Sequence, residues 1–247
     1  MERRLVFLDF LFLFKILFTD FRNLVSFLLL RVLVFFEAIL YFLGDIVEKI
    51  VRKGEHDVIV RGFHYEVNDE DFNEVDFDFR GNPQYSKMIT KLCSYNRRSE
   101  FIIKIVKDLV DENKNSQIMI LAHNKSLLNY LYKGIEFQNI GSVGYYLGGM
   151  KEKALKESES KQIIIATYAM ASEALDIKTL TTLVMATPKT DIEQSVGRIL
   201  REKHSQPIVV DIIDSHGIFQ KQWVKRQKFY KSQKYKIVTC SNANYKG

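Results

Sequence analysis

The sequence predicts an α/β protein in which a parallel β-sheet is flanked by helices. Five short apolar runs alternate with polar or helix-forming segments between residues 117 and 235. Continuous apolar runs are typical of strands buried on both faces of a parallel sheet, and right-handed helical crossovers connect such strands. The chain has 247 residues, 47% of them apolar, so it can fill the core of one large domain or of two small ones.

Charge is distributed unevenly, although the net charge is only +6. Residues 62–79 contain seven acidic residues and no Lys or Arg, whereas residues 215–247 contain eight basic residues and no acid. The basic region would favour a polyanion such as nucleic acid through counterion release, or it forms an ordinary solvated helix and tail. The two cysteines, Cys93 and Cys240, lie far apart and form no CxxC motif. This spacing predicts neither a disulfide framework nor a zinc site, and it favours a reducing, intracellular setting in the cytoplasm.

Residues 1–43 form an apolar segment, dominated by Leu, Phe and Val, which we predict to be helical and packed on another surface. Charges interrupt it throughout, so no uncharged run approaches the roughly 18 to 20 residues that a membrane helix needs. A span from Leu24 to Leu43 would bury Arg31 and Glu37 in hydrocarbon, which is costly. No small-residue cleavage site follows an apolar core, which disfavours a signal peptide. A membrane anchor is the less favoured alternative.

Residues 44–84 are predicted to form a β-hairpin and an acidic connector. Two runs rich in Val and Ile flank a turn-like RKGEHD sequence between Asp45 and Val67, and Gly54 supplies the permissive backbone of the turn. The following DFNEVDFDF alternates aromatic and acidic residues, as an edge strand or an extended loop would. Its carboxylates have no histidine and no set ligand spacing, so we interpret them as a solvated face and predict no metal site.

Residues 85–247 carry the elements of the predicted sheet. Apolar residues recur at helical spacing from Met88 to Leu109, and the polar residues 96–99 predict a break into two helices. The five strands are predicted at residues 117–122, 143–147, 163–166, 183–186 and 208–212. Helices are predicted at residues 127–132, in the charged stretch after Gly149, and at residues 172–175, 191–201 and 219–235. In the last helix, Phe219, Trp223 and Tyr230 would lie against the sheet, with stacking on bases as the alternative.

The segment QSVGRILR contains the residues with the clearest chemical potential. Helical spacing brings Gln194, Gly197, Arg198 and Arg201 to one side of a helix, where the glycine permits close approach of another backbone. Two planar guanidinium groups one turn apart suit a phosphoryl group that gains or spreads charge. An ordinary basic helix face would show the same pattern.

The ordered segments between residues 163 and 201 resemble motifs five and six of superfamily 2 helicases. Motif five is matched by Ala166-Thr167 and by SEALDI at residues 172–177, and motif six by residues 194–201. The upstream ILAHNKSLL resembles motif four, and the glycine pair 148–149 occupies the position of the family's next turn. The resemblance runs from about Gly44 to Tyr235. It covers only the second RecA-like domain, and it is nearest to helicases of large nucleocytoplasmic DNA viruses, including the poxvirus transcript-release type, and to phage repair helicases.

This resemblance implies a role for each matched residue in a helicase that hydrolyses ATP. Arg201 would be the arginine finger, Arg198 a second phosphate contact, and Gln194 the residue that orients their helix, with Gly197 in the same nucleotide cleft. Asp176 would face that cleft near the ribose or the arginines. Strand phosphates of single- or double-stranded nucleic acid, DNA or RNA, would be held by a second set: Asn124, Lys125, Gly149 and Thr167.

The sequence departs from the family pattern in two ways. Ala174 stands where motif five usually has glycine, and the chain contains neither a GxxxxGK[ST] phosphate loop nor a DExH or DEAD run. ATP would therefore be shared with a separate first RecA-like domain, and Mg²⁺ would bind only through that domain. We predict no ATPase activity from this chain alone.

Three interpretations of the chain remain open at this point. The first is the carboxyl-terminal half of an ATP-dependent helicase, in a virus factory or virion if it is viral. The second is an inactive nucleic-acid-binding RecA-like module that uses Lys125, Thr167 and the tail cations Lys221, Lys225, Arg226 and Lys228. The third is a membrane-anchored product held by residues 1–43. We interpret the chain as a helicase-type second domain from a split, truncated or frameshifted gene, preceded by an unrelated segment.

Overall fold

The computed structural model of the chain describes residues 58–173, 177–199 and 206–246, all within the unit Lys53–Gly247. Residues 1–43 and the first arm of the predicted hairpin lie outside these ranges. The described residues contain a sheet of seven parallel strands with helices on its faces, an α/β RecA-like fold. The predicted fold class is confirmed. Among the described residues, no helix has the length and apolar character needed to cross a membrane.

The strand order in the sheet is β3-β4-β2-β5-β6-β1-β7. The strands are β1 (Ile59–Tyr65), β2 (Ile118–Ala122), β3 (Val143–Tyr146), β4 (Ile163–Thr167), β5 (Thr182–Met185), β6 (Ile208–Asp214) and β7 (Lys236–Ser241). All five predicted strands are present, and β2 is buried along its whole length, as its continuous apolar sequence predicts.

The helices lie between and after the strands. They are α1 (Glu70–Asn73), α2 (Tyr85–Ser94), α3 (Asn96–Glu112), α4 (Lys125–Phe137), α5 (Glu152–Glu159), α6 (Tyr168–Glu173), α7 (Glu193–Ile199) and α8 (Gly217–Ser232). The break between α2 and α3 falls at Tyr95, whose backbone is extended, one residue before the predicted break. Helix α6 begins directly after β4, four residues before the predicted helix start at Ser172.

Strand β1 occupies the residues predicted as the second arm of a β-hairpin, but it has parallel partners on both edges. The hairpin prediction is therefore wrong for this arm. Strand β1 pairs with β6, where Ile59 aligns with Ile208, and with β7, where Ile59 aligns with Lys236. The residues predicted as the second arm of the hairpin therefore form an inner strand of the parallel sheet. Gly62 makes this position possible: a Cβ there would lie 3.0 Å from side-chain carbons of Ile213 and Thr239.

Helix α8 and strand β7 account for the basic tail. Phe219, Trp223 and Tyr230 are all buried, as expected for aromatic residues that pack on the sheet. Strand β7 was not predicted, because half of its residues are exposed, none is buried, and they do not form a continuous apolar run. A polar strand of this kind is typical of the edge of a sheet, where exposed apolar residues would favour aggregation.

Two carboxylates of the acidic connector accept hydrogen bonds from nearby backbone N–H groups and so stabilise the local backbone conformation. Asp69 caps α1 by accepting a hydrogen bond from the backbone N–H of Phe72, and it also accepts one from the Tyr95 hydroxyl. The Asp78 carboxylate accepts bonds from the backbone N–H groups of Arg80 and Asn82. Both bonding patterns lower the pKa of the aspartate, since backbone hydrogen bonds favour the charged form.

Candidate functional site

The loops predicted to contact nucleic acid follow three neighbouring strands. In the sheet order, β4 lies between β3 and β2, with Tyr146 aligned with Ala166 and Ala122 aligned with Thr167. All strands are parallel, so these three ends meet at one edge of the sheet, which we call the carboxyl edge. The structure therefore brings the segments that carry Asn124, Lys125, Gly149 and Thr167 to the same edge.

Asn124 and Lys125 form the beginning of helix α4. The Asn124 carboxamide oxygen accepts hydrogen bonds from the backbone N–H of Ser126 at 2.7 Å and from its hydroxyl at 2.6 Å, so this side chain caps the helix. Lys125 is the first residue of α4 and is exposed. A capped helix start beside an exposed ammonium group is an arrangement that suits a phosphate.

Gly149 and Thr167 are the other two residues predicted to contact a nucleic-acid strand. Gly149 has φ = +87°, a left-handed conformation that favours glycine, and a Cβ there would meet nothing within 4 Å. The space beside it is open to a ligand. The half-buried Thr167 hydroxyl oxygen lies 3.4 Å from the backbone N–H of Met170 and accepts its hydrogen bond at the start of α6.

Helix α7 carries the predicted nucleotide residues. Ile192, Ser195 and Val196 are buried, whereas Gln194 and Gly197 are exposed. A Cβ on Gly197 would meet no atom of the described residues within 4 Å. The open space agrees with the idea that another backbone approaches this glycine. The backbone of Arg198 is helical, but its side chain lies outside the described part of the chain, as do Asp176 and Arg201.

A cluster that the sequence analysis missed links β2, β4 and β5 at the carboxyl edge. The buried Thr187 hydroxyl oxygen accepts a hydrogen bond from the backbone N–H of His123 at 3.0 Å. The same oxygen lies 2.8 Å from Nδ1 of this histidine. If this hydroxyl donates its own hydrogen to Nδ1, the neutral imidazole carries its proton on Nε2. The ring of Tyr168 lies 4.7 Å from the His123 ring, centroid to centroid, and 4.8 Å from Lys189 Nζ.

The loop from Thr187 to Lys189 is fixed by hydrogen bonds to three successive carbonyl groups. The Tyr168 hydroxyl donates to the Thr187 carbonyl at 2.6 Å, the Tyr85 hydroxyl to Pro188 at 3.0 Å, and Nη1 of Arg226 to Lys189 at 2.8 Å. The donors come from α6, α2 and α8. Because three separate helices hold the loop, its backbone is positioned before any ligand arrives.

Burial and positive charge shape the ionisation of this cluster. Partial burial of its ring lowers the pKa of His123, and the Lys189 ammonium acts in the same direction. Burial also raises the pKa of the Tyr168 hydroxyl, which stays protonated as a donor at neutral pH. His123 is therefore a neutral hydrogen-bond donor and acceptor, with a cation beside it.

Arg226, which we had grouped with the tail cations, is buried and unavailable to a nucleic-acid strand. Its guanidinium forms a two-point contact with Asp211 on β6, at 2.7 and 2.8 Å, and Tyr230 donates to the same carboxylate. The neighbouring Asp214 forms an equally buried pair with Arg98 of α3. The signal in the sequence was the pair of acids within the apolar run IVVDIID, since buried charges need partners.

The sequence has relatives among viral proteins, although no protein-family model matches it. It is 39% identical over 210 residues to the candidate ATP-dependent RNA helicase L396 of Acanthamoeba polyphaga mimivirus, covering 82% of this chain and 40% of the relative. It is 27% identical over 198 residues to the candidate ATP-dependent RNA helicase QP509L of African swine fever virus, covering 67% of this chain and 39% of the relative. The chain thus spans about two fifths of these relatives.

The fold has a counterpart among solved structures. The crystal structure of phage T4 UvsW superimposes with a TM-score of 0.57 at 21% identity, over 75% of this chain and 41% of UvsW. At this identity, the likeness concerns the fold alone. The chain is therefore similar in sequence to viral helicases, and the described residues share their fold with part of phage T4 UvsW.

Proposed function

We propose that the chain provides the second RecA-like domain of an ATP-dependent helicase and contacts the phosphates of a nucleic-acid strand. One observation carries this proposal: Asn124, Lys125, Gly149 and Thr167 lie at or shortly after the carboxyl ends of three adjacent parallel strands. The viral relatives, two of them named as RNA helicases, support the assignment. Contacts of this kind reach the backbone of the strand and would make binding independent of base sequence.

The same proposal assigns α7 to the ATP cleft. Arg201 would act as the arginine finger and Arg198 as a second phosphate contact, with Gln194 and Gly197 on the helix surface and Asp176 nearby. The exposed face of α7, open at Gly197, leaves room for a second protein surface. ATP bound there would supply the phosphoryl group that is transferred to water, and the residues that hold its Mg²⁺ would belong to the first RecA-like domain. Such a protein would work inside the cell.

The test is reconstitution of ATP hydrolysis. The chain 1–247 alone is expected to show no ATPase stimulated by nucleic acid, and mixing it with a first RecA-like domain that carries GK[ST] and DExH motifs should restore hydrolysis. Arg201→Ala should then reduce kcat by about 10³-fold or more, since an arginine finger contributes that much. Lys107→Met, on the exposed surface of α3, is the matched control. ATPase activity of 1–247 alone, stimulated by nucleic acid, would contradict the proposal that two domains share the ATP site. An unchanged rate for Arg201→Ala would contradict the role of Arg201 as the arginine finger.

A binding module without catalysis is the second candidate, and the exposed lysines of α8 favour it. Lys221, Lys225 and Lys228 are exposed along this helix, in a region without acidic residues. Replacing all three with methionine should weaken single-strand binding and reduce the salt-dependence slope by about 3. Replacing Lys107, Lys114 and Lys133 in the same way gives the control for net charge. Equal effects of the two triple variants would contradict a role for α8.

A further inference from the structure

Lys189 places a positive charge beside the neutral His123 imidazole at one corner of the carboxyl edge. Lys189 Nζ lies 4.8 Å from the centre of the Tyr168 ring, and the centre of the His123 ring lies 4.7 Å from the same point. In the described ranges of the chain, no carboxylate lies within ion-pair distance of Lys189. His123 is exposed, and Lys189 is partly exposed, so a solvent-borne group can reach both.

The scaffold beneath these two side chains is rigid and buried. Thr187 is fully buried, and it holds both the backbone and the ring of His123. The carbonyl of Lys189 accepts from Arg226, which is itself anchored by Asp211 inside the core. Ordering a flexible side chain for binding costs free energy, and a preorganised backbone reduces that cost. The corner therefore presents a cation beside an imidazole ring on an ordered backbone.

We propose that His123 and Lys189 form a phosphate-binding site at the junction of β2, β4 and β5. This site extends the predicted strand contacts of Asn124 and Lys125 towards β5, and it rests on the proposed function. The ligand chemistry is a phosphate group, whose oxygens accept from His123 Nε2–H and pair with the Lys189 ammonium. Two sources share this chemistry: a phosphodiester of a nucleic-acid strand and a phosphate of a bound nucleotide.

The order of the strands explains why both residues can reach one phosphate. In the sheet, β2 lies between β4 and β5, so the loop with His123 has the β4 end on one side and the β5 end on the other. Tyr168 follows β4 and its ring touches both His123 and Lys189. Both polar groups are therefore neighbours of the same aromatic ring, which brings them to one corner of the sheet.

The experiment measures affinity for both phosphate sources in the full chain. The probes are a fluorescein-labelled oligo(dT) strand and N-methylanthraniloyl-labelled ADP, titrated at several salt concentrations by fluorescence anisotropy. For the source that uses the site, Lys189→Met should weaken binding about three- to tenfold at low salt and make the salt-dependence slope shallower by about 1. His123→Ala should weaken binding of the same probe, and His123→Gln, which keeps an N–H donor, should recover part of the loss. Lys107→Met is the control for charge, and circular dichroism melting verifies that each variant folds.

Each outcome of these titrations either supports the phosphate-binding site or contradicts it. A selective loss with oligo(dT) assigns the site to the strand, and a selective loss with the labelled ADP assigns it to a nucleotide. Equal affinities of Lys189→Met and Lys107→Met for both probes overturn the inference, while native binding of oligo(dT) would leave the proposed function standing. If the native chain binds neither probe, the proposed function fails. In that case the phosphate site is tested separately by adding inorganic phosphate and following the NMR chemical shifts of the His123 ring protons. A change in chemical shift that Lys189→Met abolishes supports the site, and the absence of any change contradicts it.

Discussion

Asp211 and Asp214 each place a carboxylate inside the core, on opposite faces of β6. Asp211 pairs with Arg226 of α8, and Asp214 pairs with Arg98 of α3, so one strand holds a helix layer on each side of the sheet. The odd spacing of three residues along a strand directs the two side chains to opposite faces. The sequence indicates that such acids need partners. It does not indicate which arginines, because Arg98 is separated from Asp214 by more than half of the described chain.

Removing one partner of a buried pair should cost much stability. Asp211→Asn leaves the Arg226 guanidinium buried without a countercharge, and we expect a loss of about 3 to 5 kcal/mol in the free energy of unfolding. The midpoint of urea denaturation measures this loss. Asp111→Asn is the matched control: its exposed pair with Lys114 should change stability by no more than about 0.5 kcal/mol.

The double variant Asp211→Leu/Arg226→Met keeps the experiment informative if Asp211→Asn does not fold. It replaces both charges with apolar groups and should recover most of the stability, since no unpaired charge remains. A loss for Asp211→Asn no larger than that for Asp111→Asn would contradict the importance of the pair.

His123 should make stability depend on pH in a defined direction. Its pKa is lowered in the folded state by partial burial and by Lys189, so the unfolded chain takes up this proton at higher pH than the folded chain does. The contribution to stability is fully present above the ordinary histidine pKa of about 6.5, and it falls as the pH drops towards the lowered value. Urea denaturation at pH 8 and at pH 5.5 measures the change.

His123→Asn isolates this contribution from the other histidines. The stability of the native chain should fall more than that of His123→Asn between the two pH values, because the variant has no group to protonate at this position. Parallel pH profiles for the two proteins would show that His123 titrates alike in the folded and unfolded states.

Helix α7 combines low helical propensity with an open surface at Gly197. A glycine inside a helix costs roughly 0.5 to 1 kcal/mol relative to alanine. Within the part of the chain that the structure describes, no atom would lie within 4 Å of a Cβ at this position. Gly197→Ala should therefore raise the free energy of unfolding by about that amount. The matched variant Gly149→Ala should lower it, because residue 149 has φ = +87°.

The same variant tests why a glycine occupies this position. If another backbone packs on Gly197 in the ATP cleft, Gly197→Ala should reduce the ATPase of the mixture with a first RecA-like domain while it stabilises the isolated chain. A stabilised chain with a full rate of hydrolysis would show that Gly197 has no such contact. A destabilised chain would contradict the open environment itself.

At the scale of elements, the sequence predicts the buried strands well and the outer strands poorly. Strands β2 and β4 are continuous apolar runs with buried residues on both faces, a pattern that neighbouring residues reveal. Strand β1 contains Arg61 and His64, and half of the residues of β7 are exposed, so neither shows that pattern. Their place in the sheet depends on partners far along the chain, and local sequence carries no information about such partners.

At the scale of the whole molecule, the resemblance to helicases predicts the carboxyl-edge loops, and the order of the strands determines which loops meet. The proposed contacts of Asn124, Lys125, Gly149 and Thr167 with nucleic-acid phosphates follow from motif positions. The corner formed by His123, Thr187 and Lys189 does not, because it depends on β5 lying next to β2. Residues separated by more than sixty positions in sequence become neighbours only when the sheet is assembled.

The position of β1 also has a consequence for the synthesis of this protein. Both partners of β1 lie near the other end of the chain, so a ribosome must add roughly 140 residues after Tyr65 before β6 begins, which takes about 7 to 30 s at typical rates. Throughout that interval, both edges of an early strand lack their final partners, and unpaired edges are sites of misassembly. The nascent chain therefore depends on delayed closure of its sheet, and slow translation would prolong its exposure to aggregation and to chaperones.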